Sequence, residues 1–114
     1  MALHNSTGNS GEDLAADYLV AKGYFIVERN WRSGHKEIDI VARREGVVVF
    51  VEVKTRSTEF FGRPEDAITP RKMQLLISAA DTYLRENCID DDARFDVICV
   101  TNGSVRHYEG AFRP

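Results

Sequence analysis

The chain lacks what would tie it to a membrane or to an oxidising compartment. Its longest unbroken apolar run is Val47 to Val51, against the roughly 20 residues that a membrane-crossing helix needs. Met1-Ala2-Leu3-His4-Asn5 lacks the charged-then-apolar pattern of a secretory signal, so a cytoplasmic protein without a membrane partner is expected. Cysteine is scarce: Cys88 and Cys99 stand eleven positions apart, with no second pair and no His at zinc-ligand spacing. Neither a disulfide framework nor a structural zinc site is indicated, and both thiols are expected to be reduced, buried packing groups. With three prolines and eight glycines in 114 residues, no linker, repeat or low-complexity tract stands out. What is present is 43% hydrophobic and 29% charged residues, the composition of one globular domain over 1–114, with polar residues 1–9 expected to be flexible.

The formal net charge of −3 excludes a protein that coats nucleic acid by bulk electrostatics. Distribution says more than the sum. Residues 1–28 carry −3, residues 29–72 carry +3, and residues 73–114 carry −3. An anionic partner is therefore to be sought at the middle segment.

Leu14, Ala15, Tyr18, Leu19 and the stem of Lys22 recur at helical spacing, with Ser10 placed to cap the helix and Gly23 to stop it. Tyr24 to Arg32 is aromatic and β-branched and runs into Ser33-Gly34, a strand and a turn. Glu37 to Arg43 alternates, Arg44-Glu45-Gly46 turns, and Val47 to Lys54 is an apolar strand, so three antiparallel strands follow the first helix. The pattern is lost from Thr55 to Pro64. A second helix is then announced by Thr69 as cap, Pro70 at its first position, and Met73, Leu76, Ile77, Ala80, Tyr83 and Leu84 at helical spacing to about Asn87. Asp90-Asp91-Asp92 reads as a solvated link, Phe95 to Val100 as a buried strand, and Asn102-Gly103 as a type I′ turn into Ser104 to Glu109. The expected fold is α/β, in the order α-β-β-β-α-β-β, with a mixed sheet of about five strands and two flanking helices.

Side chains alternate along a strand, so Glu52 and Lys54 share a face, as do Glu37 and Asp39, while Ile38, Ile40, Val51 and Val53 point the other way. Clustered carboxylates repel one another unless a cation is present. An oxygen-rich anionic cluster suits Mg²⁺ or Mn²⁺, which can bind a phosphate oxygen and ready a water, while a neighbouring lysine stabilises developing charge. The competing reading is a solvated outer face with weak cross-strand ion pairs. Spacing alone leaves both open.

Asp39 followed after twelve residues by Glu52-Val53-Lys54 resembles the signature of the PD-(D/E)xK nuclease superfamily. The surrounding phrases resemble its YraN-like uncharacterised bacterial family: Gly11-Glu12 with Ala15, Ala16, Tyr18 and Leu19; Gly23-Tyr24; Arg29-Asn30-Trp31-Arg32; Glu37 to Ala42; Phe50 to Arg56; Phe61-Gly62 with Pro64-Glu65; Lys72; and Arg94-Phe95-Asp96-Val97. The likeness runs from about residue 11 to 100. It implies a restriction-endonuclease-like core, similar to Holliday-junction resolvases. By that motif Asp39, Glu52, the Val53 carbonyl and Glu12 would hold Mg²⁺ or Mn²⁺, Lys54 would be the catalytic lysine, and Glu37 an adjacent secondary acid. Ile38 stands where the motif's name has proline, and Lys36 precedes Glu37 where many members have glycine.

Arg29, Arg32, Lys36, Arg56, Arg71 and Lys72 are the bases placed to meet nucleic-acid phosphates. Trp31 is expected to pack under the hairpin, and Phe60 and Phe61 to anchor their loop. His4, His35 and His107 show no ligand spacing. Two functions follow. One is a metal-dependent, structure-selective DNA endonuclease of recombination or repair, working as a homodimer as resolvase-like relatives do. The other is a module on the same fold that binds nucleic acid or protein with weak or lost catalysis.

Overall fold

In the computed structural model the described residues are 10–56 and 68–114. The expectations for residues 1–9, His4, Phe60 and Phe61 lie outside them. Helix α1 (Ser10–Ala21) precedes strands β1 (Phe25–Ser33), β2 (Lys36–Arg44) and β3 (Val47–Arg56); helix α2 (Pro70–Glu86) precedes β4 (Asp92–Thr101) and β5 (Ser104–Phe112). The order is the expected one. All five strands form one sheet, β1-β2-β3-β4-β5, antiparallel except for the parallel β3–β4 pair. A parallel pair cannot be closed by a hairpin, and α2 lies in the connection between β3 and β4. Neither helix is long and apolar enough to cross a membrane.

Local chemistry sets the ends of these elements. The Tyr24 N–H returns to the Leu19 carbonyl at 2.9 Å behind Gly23, whose φ of 94° is glycine's region. The same closure ends α2, where Ile89 N–H reaches the Leu84 carbonyl at 2.9 Å. There the left-handed residue is Cys88, with φ 54°. That position turns its side chain off the helix, so Cys88 is exposed, against expectation, while Cys99 is buried as expected. At the other end of α2, Thr69 accepts from the Lys72 backbone N–H at 3.2 Å, and Pro70 fills the first turn. Asn102 and Gly103 both have positive φ, 50° and 83°, the geometry of a type I′ hairpin.

The helices cover opposite faces. Under α1 lie Ala15, Ala16, Leu19, Ile40, Ala42, Val49, Val51, Ile98 and Val100; under α2 lie Trp31, Ile38, Val41, Val48, Phe50 and Phe95 with Leu76, Ala79, Ala80 and Tyr83. The small Ala15 and Ala16 let α1 settle close to the sheet. That centres its buried stripe on them and leaves Leu14, expected in the stripe, exposed. Trp31 packs as expected, edge-on to Tyr83 at 5.4 Å.

A further expectation fails. Ile38 does not share a side with Ile40 and Val51 but packs under α2. Its cross-strand partner is Trp31, and Arg29 pairs with Ile40, which brackets Asn30 opposite Asp39. Asn30 has φ 55°. One left-handed residue resets the alternation of its strand, and the paired strand follows it.

Candidate functional site

The β2–β3 ladder begins at Arg44↔Val47 and stops at Ile40↔Val51. Beyond that point β2 stays with β1 as far as Lys36↔Ser33, and β3 stays with β4 as far as Arg56↔Thr101. Two ribbons therefore diverge, and the notch between them opens at Asp39 and Glu52. A backbone N–H released from a ladder needs another acceptor. Asp39 supplies it: its Oδ2 accepts from Val53 N–H at 2.8 Å. N–H and C=O of one extended residue point to the same side, so the Val53 carbonyl opens into the notch as well.

Both helices bring charge to this notch. Gly11 sits against Thr55, close enough that a Cβ would collide with its Oγ1, so the first turn of α1 is packed on the end of β3. Glu12, the next residue, and Asp13 carry the charge of that turn. From the first turn of α2, Lys72 Nζ stands 3.9 Å from Glu52 Oε2; Lys54 Nζ stands 3.6 Å from the same oxygen.

Glu52 is only 6% exposed; it lies just past the end of the β2–β3 ladder, after five hydrocarbon residues of β3. Burial pushes its carboxyl up from the ordinary value, and the neighbouring Asp39 charge pushes further, against the pull of Lys72 and Lys54. Asp39 is raised too, first by burial, against the Val53 N–H, and also by Glu12 and Glu37 with Lys72 opposing. Each carboxylate is thus costly to ionise, Glu52 because it is buried and Asp39 because it is half-buried, and each has another acid nearby. Among the described residues no three His, Cys, Asp or Glu side chains converge into a ready ligand group. The donor set at the notch is two carboxylates and a carbonyl, all oxygen, which fits a hard divalent ion that keeps several waters.

A stability prediction follows from the sign of these shifts. A carboxyl raised in the folded state favours folding while it is protonated, and that contribution is lost as pH rises through the raised value. Glu52→Gln, with no divalent ion added, is therefore expected to stabilise the protein at pH 7 by about 0.5–2 kcal/mol, as removal of functional strain commonly does. The gain should shrink towards about pH 4, where the unfolded carboxyl also protonates. Urea unfolding of both proteins at the two pH values checks it; a destabilised variant at pH 7 would reverse the account.

Glu12 is tied to β1, and the remaining sequence-derived residues spread out. Glu12 Oε1 accepts from Arg29 Nη2 at 3.1 Å and from Asn30 Nδ2 at 3.0 Å, and Arg29 also reaches Asp13 at 2.7 Å. Lys36 Nζ donates to Thr82 Oγ1 on α2 at 2.9 Å, which ties the end of β2 to the helix. Arg32 is exposed, 3.8 Å from Glu37, which is also exposed. Arg56 and Arg71 are exposed, and so is His35. Asp91 of the acidic link pairs with Arg43.

Sequence reasoning missed the role of a second polar cluster, on the α1 side of the sheet. Asp96 is fully buried and accepts from Arg94 Nε and Nη2 at 2.9 and 2.8 Å and from Gly110 N–H at 3.0 Å, with His107 Nε2 at 2.6 Å. Arg94 also donates to the Tyr24 hydroxyl, and His107 meets Tyr18 and Tyr24 edge-on. The available signal was an acid inside an otherwise apolar strand pattern, which is rare unless the acid is paired.

A mixed five-stranded α/β domain with a carboxylate-lysine notch at the parting of its antiparallel strands is the class these features define. The chain belongs to uncharacterised protein family UPF0102, whose model matches residues 11–100. It is 48% identical to a UPF0102 protein of Bacteroides fragilis over all of this chain and 98% of that one. It is similar at 46% to one of Flavobacterium psychrophilum over 98% of each chain, and at 41% to one of Parabacteroides distasonis over 98% and 96%.

Proposed function

We propose that this protein is a Mg²⁺- or Mn²⁺-dependent endonuclease that hydrolyses phosphodiester bonds in structured DNA, in recombination or repair in the cytoplasm. The observation that carries the reading is the meeting of the Asp39 and Glu52 carboxylates with the Lys54 and Lys72 ammoniums at one strand-end notch. A solvated outer face would not bury an acid to 6% beside a second raised acid. Asp39, Glu52 and the Val53 carbonyl would hold the divalent ion, with Glu12 adding a carboxylate from the rim of the notch. When bound, the ion supplies Lewis-acid charge that lowers the pKa of a water and offsets phosphate charge. Lys54 then stabilises the charge that grows on the phosphoryl oxygens, and Lys72, shared with Glu52, holds the neighbouring backbone. Selectivity for branched or single-stranded DNA comes from the likeness to resolvases.

Titration with Mn²⁺ followed by incubation with linear, branched and single-stranded DNA tests the proposal. Binding is expected to raise the melting temperature of the wild type in proportion to RT ln(1 + [L]/Kd) and not that of Asp39→Asn. Cleavage of at least one branched or single-stranded substrate is expected. Metal binding and DNA binding without cleavage on any substrate would make the binding module the better account.

A further inference from the structure

We propose that Asn30 is a positioning residue for the metal site, acting through Glu12. Its side-chain amide and the Arg29 guanidinium together fix the Glu12 carboxylate so that one oxygen is held by β1 and the other is left for the notch of Asp39 and Glu52. The role rests on the metal-site reading above.

Three observations converge on it. Both donors take the same oxygen: Arg29 Nη2 lies 3.1 Å and Asn30 Nδ2 3.0 Å from Glu12 Oε1. Glu12 Oε2 has no such bond among the described residues, in a side chain that is only 16% exposed. Consecutive residues of a strand normally face opposite ways, so Arg29 and Asn30 could not both reach one carboxylate from regular β geometry. The left-handed backbone of Asn30, φ 55°, removes that obstacle. Such a conformation is unfavourable for an L-residue other than glycine, and asparagine is among those that tolerate it best. Finally, Asn30 lies between the register pairs Arg29↔Ile40 and Trp31↔Ile38, level with Asp39 across the ladder. Strand β1 thus reaches the acidic notch through the amide of Asn30.

A carboxylate free to rotate spends little time in the geometry a small octahedral ion demands, and partners that orient ligands commonly carry 10- to 100-fold in metal affinity. The test variant is Asn30→Gly, because glycine keeps the left-handed backbone without strain and removes only the amide. Asn102→Gly is the matched control, since Asn102 has φ 50° in the β4–β5 turn and is no part of β1. Mn²⁺ affinity is measured by calorimetry for wild type, both glycine variants, Glu12→Gln and the double variant Glu12→Gln/Asn30→Gly, with the melting temperature of each. Asn30→Gly is expected to weaken Mn²⁺ binding about 10- to 100-fold with a melting temperature close to that of the wild type. Asn102→Gly should leave affinity unchanged. The double variant should bind no more weakly than Glu12→Gln alone, because an amide that works through Glu12 has nothing left to orient. Wild-type binding that Asn30→Gly leaves intact, or losses that add in the double variant, would overturn the positioning role while the metal site stands. A wild type that binds no Mn²⁺ would remove the metal site and this role together.

Discussion

Lys54→Ala is expected to lower DNA cleavage by about 10²–10³-fold or more while Mn²⁺ affinity and melting temperature stay near those of the wild type. The ammonium is no ligand of a cation. It lies on a half-buried strand end 3.6 Å from Glu52, where it can face charge that develops only as the phosphodiester bond breaks. Asp39→Asn should behave differently. The amide oxygen can still accept the Val53 N–H that Asp39 now takes, so the fold survives. Loss of the carboxylate charge removes a ligand, and metal binding and cleavage should weaken together. Without metal the same variant is expected to bind DNA more tightly, because one anion fewer repels the backbone. Purified proteins compared on one substrate panel, with calorimetry for the metal, separate these effects. A Lys54→Ala protein that cuts as well as the wild type would sink the catalytic reading.

Asp96→Ala is expected to be the most destabilising single change, at about 3–5 kcal/mol, because it takes the acceptor from the buried His107 and the Gly110 N–H and leaves Arg94 only the Tyr24 hydroxyl and the more distant Glu109. Burial alone would push the Asp96 carboxyl up. Hydrogen bonds from His107, Arg94 and the Gly110 N–H, with the Arg94 charge, outweigh it and hold the group below the ordinary carboxylate range. A lowered carboxyl contributes stability above its unfolded value and loses it as pH falls through the folded one. The gap between wild type and Asp96→Ala should therefore be full at pH 7 and narrow in strong acid. In thermal unfolding at pH 7 the loss corresponds to roughly 10–30 °C. Where the variant is folded, cleavage should persist, since the cluster lies under Tyr18 and Tyr24 on the α1 side and not in the notch. A variant that melts within a degree or two of the wild type would show that the cluster is not a structural tie.

How much of this was legible in the chain depends on the range of the interaction. Period-2 and period-3.6 patterning, the Thr69-Pro70 start, the Gly23 stop and the Asn102-Gly103 turn are local signals, and they determined all seven elements in order, though β4 and β5 run about three residues further than the patterns suggested. Glu52, Lys54 and Asp39 were legible as residues of one site because two strands joined by a tight turn leave few ways to pair. Three things required the tertiary structure. The ladder stops at Ile40↔Val51 because the Asp39 side chain takes the next strand's N–H, an acceptor that no periodicity announces. Ile38 changes faces because Asn30, opposite Asp39, takes a left-handed backbone that asparagine permits but does not dictate. Asp96 is tolerated in the core only because Arg94, His107 and the Gly110 N–H converge on it from two strands. The sequence by itself determined the elements and the residue types of the site, since local backbone preferences and side-chain chemistry act over a few residues. Which acids are buried and which are clamped was decided by tertiary structure, because desolvation and hydrogen bonding depend on neighbours that only the closed fold brings together.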